Sequence, residues 1–189
     1  MYKIEQKVMI VLPEEHDMDT KGIIVEAMKQ LLAEQRFDKI TVQNIIDHAH
    51  CSRGTFYRHF KDKYDIMNYY YLETNRDILS NSELSGREKT EAIVDSVLKN
   101  KEYFGGVVDV EGINSFRNFV KQCSKQFYLA IYREKFRTGA SIPAEIDFMT
   151  DFLAEGCAAT IDKWVIGDGG LPKEQLVDSL YRMTPDELR

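Results

Sequence analysis

The stretch TVQNIIDHAHCSRGTFYRHFKDKYDIM, residues 41–67, decides the fold. Thr41 and Ser52 each stand directly before a short helical pattern, where a side-chain oxygen can accept a hydrogen bond from the free N–H groups of a helix N-terminus. The second pattern carries Phe56 and Phe60, which lie on one face because they are four residues apart. Two short helices joined by the AHC turn predict a helix-turn-helix unit.

Amphipathic helices are predicted before and after this unit. From Thr20 the apolar residues recur at helical spacing for about four turns, and Asp62 stands where it can cap a long fourth helix. Gly105–Gly106 is a turn signal. Further helical patterns fall at 88–104, 113–138, 144–166 and 173–183. The sequence therefore predicts an all-α protein.

The polar segment 80–87 divides the chain into two predicted domains. We expect a three-helix, helix-turn-helix DNA-binding domain at 1–80, with its core at 20–66, and a helical-bundle domain for ligand binding and dimerisation at 81–189. Residues 20–63 carry eight Lys or Arg against five Asp or Glu (8 − 5 = +3), so the remainder of this chain of net charge −6 carries −9. We call the predicted domain at 1–80 the head and that at 81–189 the body. A basic head on an acidic body is typical of a protein that binds a polyanion.

Composition limits the cellular setting of the protein. No apolar run approaches the roughly 20 residues that a membrane span requires, and the first residues, interrupted by Glu5 and Lys7, do not resemble a secretory signal. The three cysteines are odd in number and far apart, which argues against a disulfide framework and for a reducing compartment. We therefore expect a cytoplasmic protein that has no contact with the membrane.

The polar residues of the third helix suit a DNA groove. Arginine pairs with guanine edges in the major groove, threonine offers a methyl or a hydroxyl group, and tyrosine and lysine reach phosphate oxygens. Gly54 costs about 1 kcal/mol of helix propensity, but it allows the backbone to approach DNA closely. Because the costly glycine lies among these polar residues, we expect this helix to bind DNA.

The same residues resemble a known family. The hydroxyl of Thr41, the Ser-x-Gly-Thr-x-Tyr run from Ser52 and the Phe-Lys-x-Lys exit from Phe60 are similar to the helix-turn-helix signature of TetR/AcrR bacterial transcriptional regulators. The resemblance implies a homodimer that binds a pseudo-palindromic DNA operator and acts as a ligand-responsive repressor, with an effector of unknown identity. More faintly, the pattern around Gly156 and Trp164 resembles a C-terminal domain that in some relatives accompanies dihydroxyacetone kinase regulation.

Carried over position by position, the resemblance implies base-edge contacts for Arg53, Gly54, Thr55 and Arg58. It implies phosphate contacts for Thr41, Tyr57, His59 and Lys63. The complete predicted DNA-binding set is Thr41, Ser52, Arg53, Gly54, Thr55, Tyr57, Arg58, His59, Lys61 and Lys63. The chain departs from the family at His50, Cys51 and Ile46, where Gly, Val and Ala are usual. Of these, His50 is predicted to adopt a left-handed conformation.

The body carries less specific signals. Its aromatic residues form either a helical core or an effector pocket, and both interpretations stay open. The predicted pocket residues are Tyr103, Phe104, Phe116, Phe119, Cys123, Phe127 and Phe152. Small residues at helical spacing near Gly156 favour close helix approach, so the helices at 144–166 and 173–183 form either a dimer interface or simple core. The predicted interface residues are Met149, Leu153, Gly156, Thr160, Leu176 and Leu180.

No catalytic motif supports an enzyme, and we expect no catalytic residue, no cofactor and no metal. His48, His50 and Cys51 match no standard zinc spacing. Two alternatives to an autonomous repressor remain. One is a coregulator that acts through a protein partner with little DNA binding of its own, and the other is a helical small-molecule-binding protein with a vestigial head.

Overall fold

The computed structural model describes residues 18–108, 115–136, 141–167 and 169–189. Both ends of the helix predicted over 113–138 lie outside these ranges. Within the described ranges the chain forms nine α-helices and no strand, so the predicted all-α class is confirmed. Short 3₁₀ turns occur at Phe37–Lys39 and Asp186–Leu188. The helices are α1 Met18–Glu34, α2 Val42–His48, α3 Arg53–His59, α4 Lys63–Ser80, α5 Gly86–Lys99, α6 Lys101–Val108, α7 Phe116–Phe136, α8 Ala144–Ile166 and α9 Lys173–Met183.

Polar caps fix the starts of the helix-turn-helix. The Thr41 hydroxyl accepts a hydrogen bond from the Asn44 backbone N–H at 3.1 Å, which closes a capping box at the start of α2. The Ser52 hydroxyl accepts from the Thr55 N–H at 3.0 Å and caps α3. The side chain of Asp62 caps α4 in the same way. The sequence prediction of these three helix starts is confirmed.

The turn between α2 and α3 depends on a left-handed residue. His50 has φ 48°, as the sequence predicts, and is the sole non-glycine residue with positive φ in the described ranges. Its N–H donates to the Asp47 carbonyl at 3.3 Å, and the Cys51 N–H donates to the Ile46 carbonyl at 3.2 Å. These hydrogen bonds end α2 and turn the chain into α3.

Two predictions for the region after α4 are wrong. The helix expected over 88–104 is broken at Asn100, whose ψ of 24° departs from helical geometry and which accepts a hydrogen bond from the Tyr70 hydroxyl. The turn expected at Gly105–Gly106 lies inside α6. A Cβ at Gly106 would stand 3.1 Å from Cδ2 of Leu32. The glycine there permits close contact between α1 and α6 instead of a turn.

One hydrophobic core runs from the helix-turn-helix into the body, and α4 belongs to both parts. Ile66 and Met67 are fully buried in the first turn and a half of α4. One turn further along, the Tyr71 ring packs edge-on against Phe104 at 6.0 Å and Phe116 at 5.7 Å between ring centroids. A movement of the body helices that contact Tyr71 would therefore also displace α4, which continues into the head. The domain boundary near residue 80 stays a prediction.

None of the helices in the described ranges combines the length and apolar character that a bilayer span needs.

Candidate nucleic-acid interface and effector cavity

The helix α3 buries Phe56 and leaves its polar side to solvent. Arg53, Gly54 and Arg58 are exposed, and Tyr57 is 47% exposed. In the part of the chain that the structure describes, the Arg58 guanidinium has no hydrogen-bond or ion-pair partner. The structure therefore brings two arginines and a tyrosine onto one solvent-facing surface of a short helix.

The side chain of Arg53 is held against Tyr57. Its guanidinium lies 5.3 Å from the Tyr57 ring centroid, and Nη2 donates to the Tyr57 hydroxyl at 3.4 Å. The ring itself packs edge-on against the buried Phe56, with 5.3 Å between centroids. Because the Tyr57 ring is supported by the buried Phe56, Arg53 loses less side-chain freedom when it binds than an unsupported arginine would.

Internal packing does not require the glycine at position 54. A Cβ there would meet only the Ser52 Oγ, at 3.7 Å, which is ordinary van der Waals contact. Its φ is not positive. The absence of a side chain at Gly54 therefore matters toward the outside of the molecule, where it lets a large ligand approach the backbone of α3.

Three of the predicted hydroxyl contacts already have partners inside the head. Thr41 caps α2 and also donates to the Asn44 side chain at 2.6 Å. Ser52 and Thr55 share a hydrogen bond of 2.8 Å between their hydroxyl oxygens. His59 is half-buried and engaged in a further contact. The hydroxyls of Thr41 and Ser52 cap the N-termini of α2 and α3, and the aligned N–H groups there favour anions such as phosphate.

The two predicted lysines occupy different environments. Lys61 is exposed, and its ammonium has no partner among the described residues. The Lys63 ammonium instead donates to the carbonyls of Phe37 at 2.7 Å and Ile40 at 2.8 Å and lies 4.5 Å from the Phe37 ring centroid. Burial lowers the pKa of Lys63, against the opposing charge of Asp38. Lys63 thus clamps the turn before α2.

The body contains an apolar cavity of about 80 Å³ between α4, α5, α7, α8 and α9. Cys123 and Phe127, both predicted for the pocket, line it. So do Thr160, Leu176 and Leu180, which were predicted for the dimer interface. Residues predicted for the pocket and residues predicted for the dimer interface therefore both line the cavity.

The other predicted pocket residues lie elsewhere. The three aromatic residues Tyr103, Phe104 and Phe116 are buried in the main core, and Phe119 packs against that core. Phe152 is 72% exposed on the outer side of α8. A repeating aromatic pattern on a helix does not distinguish core from pocket or from solvent-facing surface, because all three accept the same spacing.

The predicted interface residues also lie in different environments. Met149 and Leu153 pack against a small second core formed around Tyr128 and Leu188. Gly156 is the one predicted interface residue that lies exposed on α8, where an added Cβ would meet nothing within 4 Å.

Sequence reasoning missed most of the cavity wall. The α5 side chains recur at helical spacing and form an apolar stripe that was readable from the sequence; these residues are Thr90, Ile93, Val94, Val97 and Leu98. The rest of the wall comes from other helices and consists of Tyr71, Leu79, Ser124, Tyr128, Cys157, Ile161 and Trp164. No local signal marks these residues, because only the packing of distant helices brings them together.

The cavity is chemically quiet. Burial raises the pKa of the Cys123 thiol to about 12 and raises that of Cys157 as well, so neither is a reactive thiolate at neutral pH. Burial likewise raises the pKa of the Tyr128 hydroxyl. The Trp164 indole Nε1 is buried and has no hydrogen-bond partner within the described ranges, and its edge of the ring lies against Gly169, where an added Cβ would stand 2.8 Å from Nε1. A ligand for this cavity is therefore mainly apolar, with at most a few polar atoms.

Comparisons with known proteins agree with this architecture. Residues 24–70 match the family model described as bacterial regulatory proteins, tetR family, and residues 87–186 match the model described as transcriptional regulator C-terminal region. The HTH-type transcriptional regulator YuxN of Bacillus subtilis (strain 168) is 25% identical over 118 residues. That match covers 57% of this chain and 40% of the length of YuxN.

Solved structures share the fold. The dihydroxyacetone kinase operon activator DhaS superposes with a TM-score of 0.62 at 17% identity, over 90% of this chain and 97% of that one. A TetR transcriptional regulator from Streptococcus agalactiae 2603V gives a TM-score of 0.59 at 23% identity, over 89% and 94% of the two chains. The first family model covers the helix-turn-helix, and the second covers more than half of the whole chain. The chain belongs to the TetR family of bacterial transcriptional regulators.

Proposed function

We propose that the protein is a homodimeric repressor that binds a pseudo-palindromic DNA operator through α3 and releases it when an apolar effector occupies the body. The observation that carries the DNA part is the outer surface of α3, where Arg53, Tyr57 and Arg58 surround a glycine with no internal packing role. Two such helices about 34 Å apart enter successive major grooves.

The side chains divide the work of recognition in this proposal. Arg58, which has no partner in the described ranges, and Arg53, held on Tyr57, read base edges. The Tyr57 hydroxyl and Lys61 bind phosphate oxygens, and the capped N-termini at Thr41 and Ser52 add backbone N–H groups. Phosphate contacts set the register of the protein on DNA, while the arginines supply the sequence preference.

The effector proposal rests on the cavity. Its free volume of about 80 Å³ is below the roughly 300 Å³ at which drug-sized pockets begin, so an effector has to spread the surrounding helices as it enters. Tyr71 lines the cavity and belongs to α4, so spreading moves the helix whose other end is buried in the head.

Selection of bound sites from a genomic fragment library tests the DNA-binding proposal. Purified protein at about 150 mM salt, where nonspecific binding is weakened, is expected to enrich an inverted repeat. Arg58→Ala should relax preference at one symmetry-related pair of base positions, whereas the control Arg133→Ala, an exposed arginine on α7, should leave the selected motif unchanged. A library without any enriched repeat would favour the coregulator alternative.

A reporter assay decides the sign of regulation. With the selected repeat placed over a promoter, we expect the protein to lower expression. Increased expression would assign an activator role, which is the role named for DhaS among proteins of similar fold.

A further inference from the structure

The hydroxyl of Tyr71 is a buried polar group for which the described part of the chain provides no partner. Tyr71 is 4% exposed and lines the apolar cavity. Its backbone carbonyl accepts a hydrogen bond from Asn75 Nδ2 at 2.8 Å, but its phenolic O–H is not hydrogen-bonded within the described ranges. Buried tyrosine hydroxyls usually have a partner, because an unsatisfied buried donor costs free energy. This hydroxyl therefore needs a functional explanation.

The neighbours of Tyr71 locate its hydroxyl at the cavity. The ring packs edge-on against Phe116 and Phe119 of α7, with 5.7 and 6.1 Å between ring centroids, so its position is fixed. Burial raises the pKa of the Tyr71 hydroxyl, and the Cys123 and Cys157 thiols raise it further. Such an influence requires proximity, because the interaction between charges weakens with distance. Both thiols line the cavity, so the Tyr71 hydroxyl lies at the cavity wall as well.

The other hydroxyl groups of the wall are already satisfied. Thr90 and Thr160 each donate to a carbonyl one turn earlier in their own helix, at 2.8 and 2.7 Å. The Tyr128 hydroxyl shares a hydrogen bond of 3.5 Å with a thiol of α8. Ser124 is only half-buried, so water can bind its hydroxyl. Among the described residues of the wall, Tyr71 therefore carries the fully buried hydroxyl that a ligand can use.

The cavity selects against charge. None of the described residues that line it is an Asp, Glu, Lys, Arg or His. Its two thiols are neutral at pH 7, because burial raises the pKa of both Cys123 and Cys157. A charged ligand would lose its hydration here without gaining an ion-pair partner, which costs far more than the burial of a neutral polar group. A carbonyl oxygen, which is uncharged and only accepts hydrogen bonds, matches the single free O–H.

We propose that the effector is an uncharged, mainly apolar molecule whose carbonyl oxygen accepts a hydrogen bond from the Tyr71 hydroxyl. The inference rests on the effector cavity of the proposed function and names the ligand chemistry that this cavity selects. Tyr71 belongs to α4, so the residue that binds the carbonyl lies on the helix that continues into the head.

Acetophenone and α-methylstyrene test the contact, because the two molecules have the same shape and differ by a carbonyl oxygen in place of a methylene group. Isothermal titration calorimetry on the full chain gives both dissociation constants. Tyr71→Phe should weaken acetophenone binding about five- to tenfold and change α-methylstyrene binding less than about twofold. Benzoate, which has a similar size but is charged at neutral pH, should bind more weakly than acetophenone.

Tyr128→Phe is the matched control, because it removes a hydroxyl of the same wall that already has a partner. It should leave the ratio of the two dissociation constants within about twofold of the wild-type ratio. Thermal unfolding without ligand separates the variants a second time. Tyr71→Phe removes an unsatisfied donor and should keep or raise the melting temperature, whereas Tyr128→Phe breaks a hydrogen bond and should lower it.

The outcomes distinguish this inference from the proposed function. Equal weakening of both ligands by Tyr71→Phe, tighter binding of benzoate than of acetophenone, or a melting temperature lowered by Tyr71→Phe as much as by Tyr128→Phe would overturn the carbonyl contact and leave the cavity as the effector site. A wild-type protein that binds neither acetophenone nor α-methylstyrene up to their solubility limits would overturn the effector site together with the contact.

Discussion

Lys63 begins α4 at the position where the family resemblance implies a phosphate contact. Its ammonium is bonded instead to the carbonyls of Phe37 and Ile40, directly before the Thr41 cap of α2. Two backbone carbonyls hold this ammonium, and burial lowers the pKa of Lys63. The ammonium is therefore poorly placed to contact a DNA phosphate at the same time. We therefore expect Lys63 to act on DNA binding through the position of α2.

The substitution Lys63→Met tests this role, because it keeps an unbranched apolar stem and removes the donors. The two carbonyls lose their partner, so we expect a lower melting temperature and weaker operator binding. The slope of log affinity against log salt concentration should stay unchanged, since no phosphate contact is lost. The measurements are thermal unfolding and fluorescence anisotropy titrations between about 50 and 200 mM salt.

Lys61→Met is the matched control two residues away. The Lys61 side chain is exposed and has no partner in the described ranges, so its removal should leave the melting temperature unchanged and flatten the slope by about 0.9. The opposite pattern, in which Lys63→Met flattens the slope and leaves stability intact, would return Lys63 to the phosphate-binding set.

At the scale of the element, α3 and α5 begin with the same kind of cap. Ser52 accepts the Thr55 N–H at 3.0 Å, and Ser85 accepts the Glu88 N–H at 3.3 Å. Replacing either serine by alanine should cost about 1 kcal/mol of stability. Only Ser52→Ala should weaken operator binding, because α3, and not α5, belongs to the proposed recognition surface. Paired chemical denaturation and anisotropy measurements separate the two effects, and equal loss of DNA affinity in both variants would contradict the assignment.

Helix starts were predictable because their signals are local. Thr41, Ser52 and Asp62 act on N–H groups within three residues, so a single sequence contains both partners. The glycines of α6 were not predictable in the same way. Gly106 looks like a turn residue from its neighbours, but contact with Leu32, more than 70 residues earlier, explains its place in a helix.

The candidate site likewise contains residues that the sequence could assign and residues that it could not. The outward residues of α3 could be assigned from the sequence because a short amphipathic helix has only one buried face, set here by Phe56. The cavity could not, since its wall joins five helices from Tyr71 to Leu180. The exposure of Phe152 was equally hidden, because helical periodicity gives the face of a residue but not what lies opposite it.

At the scale of the whole molecule, α4 connects the cavity to the DNA-binding head. Tyr71 lines the cavity and packs on Phe104 and Phe116, while Ile66 and Met67 are fully buried nearer the head. A rigid helix shared by both parts cannot move at one end without displacing the other. If effector and operator favour different positions of α4, each must weaken the binding of the other by the same factor.

An apolar fluorescent probe can measure this reciprocity before the natural effector is known. N-phenyl-1-naphthylamine, which is uncharged, should enter the cavity and accept energy transfer from Trp164, the only tryptophan of the chain. Saturating operator duplex should raise the probe dissociation constant at least about fivefold, and saturating probe should weaken operator binding equally. A scrambled duplex of the same length serves as the control. A probe that binds beside Trp164 with the same affinity whether or not operator is present would show that the cavity and α3 are not coupled.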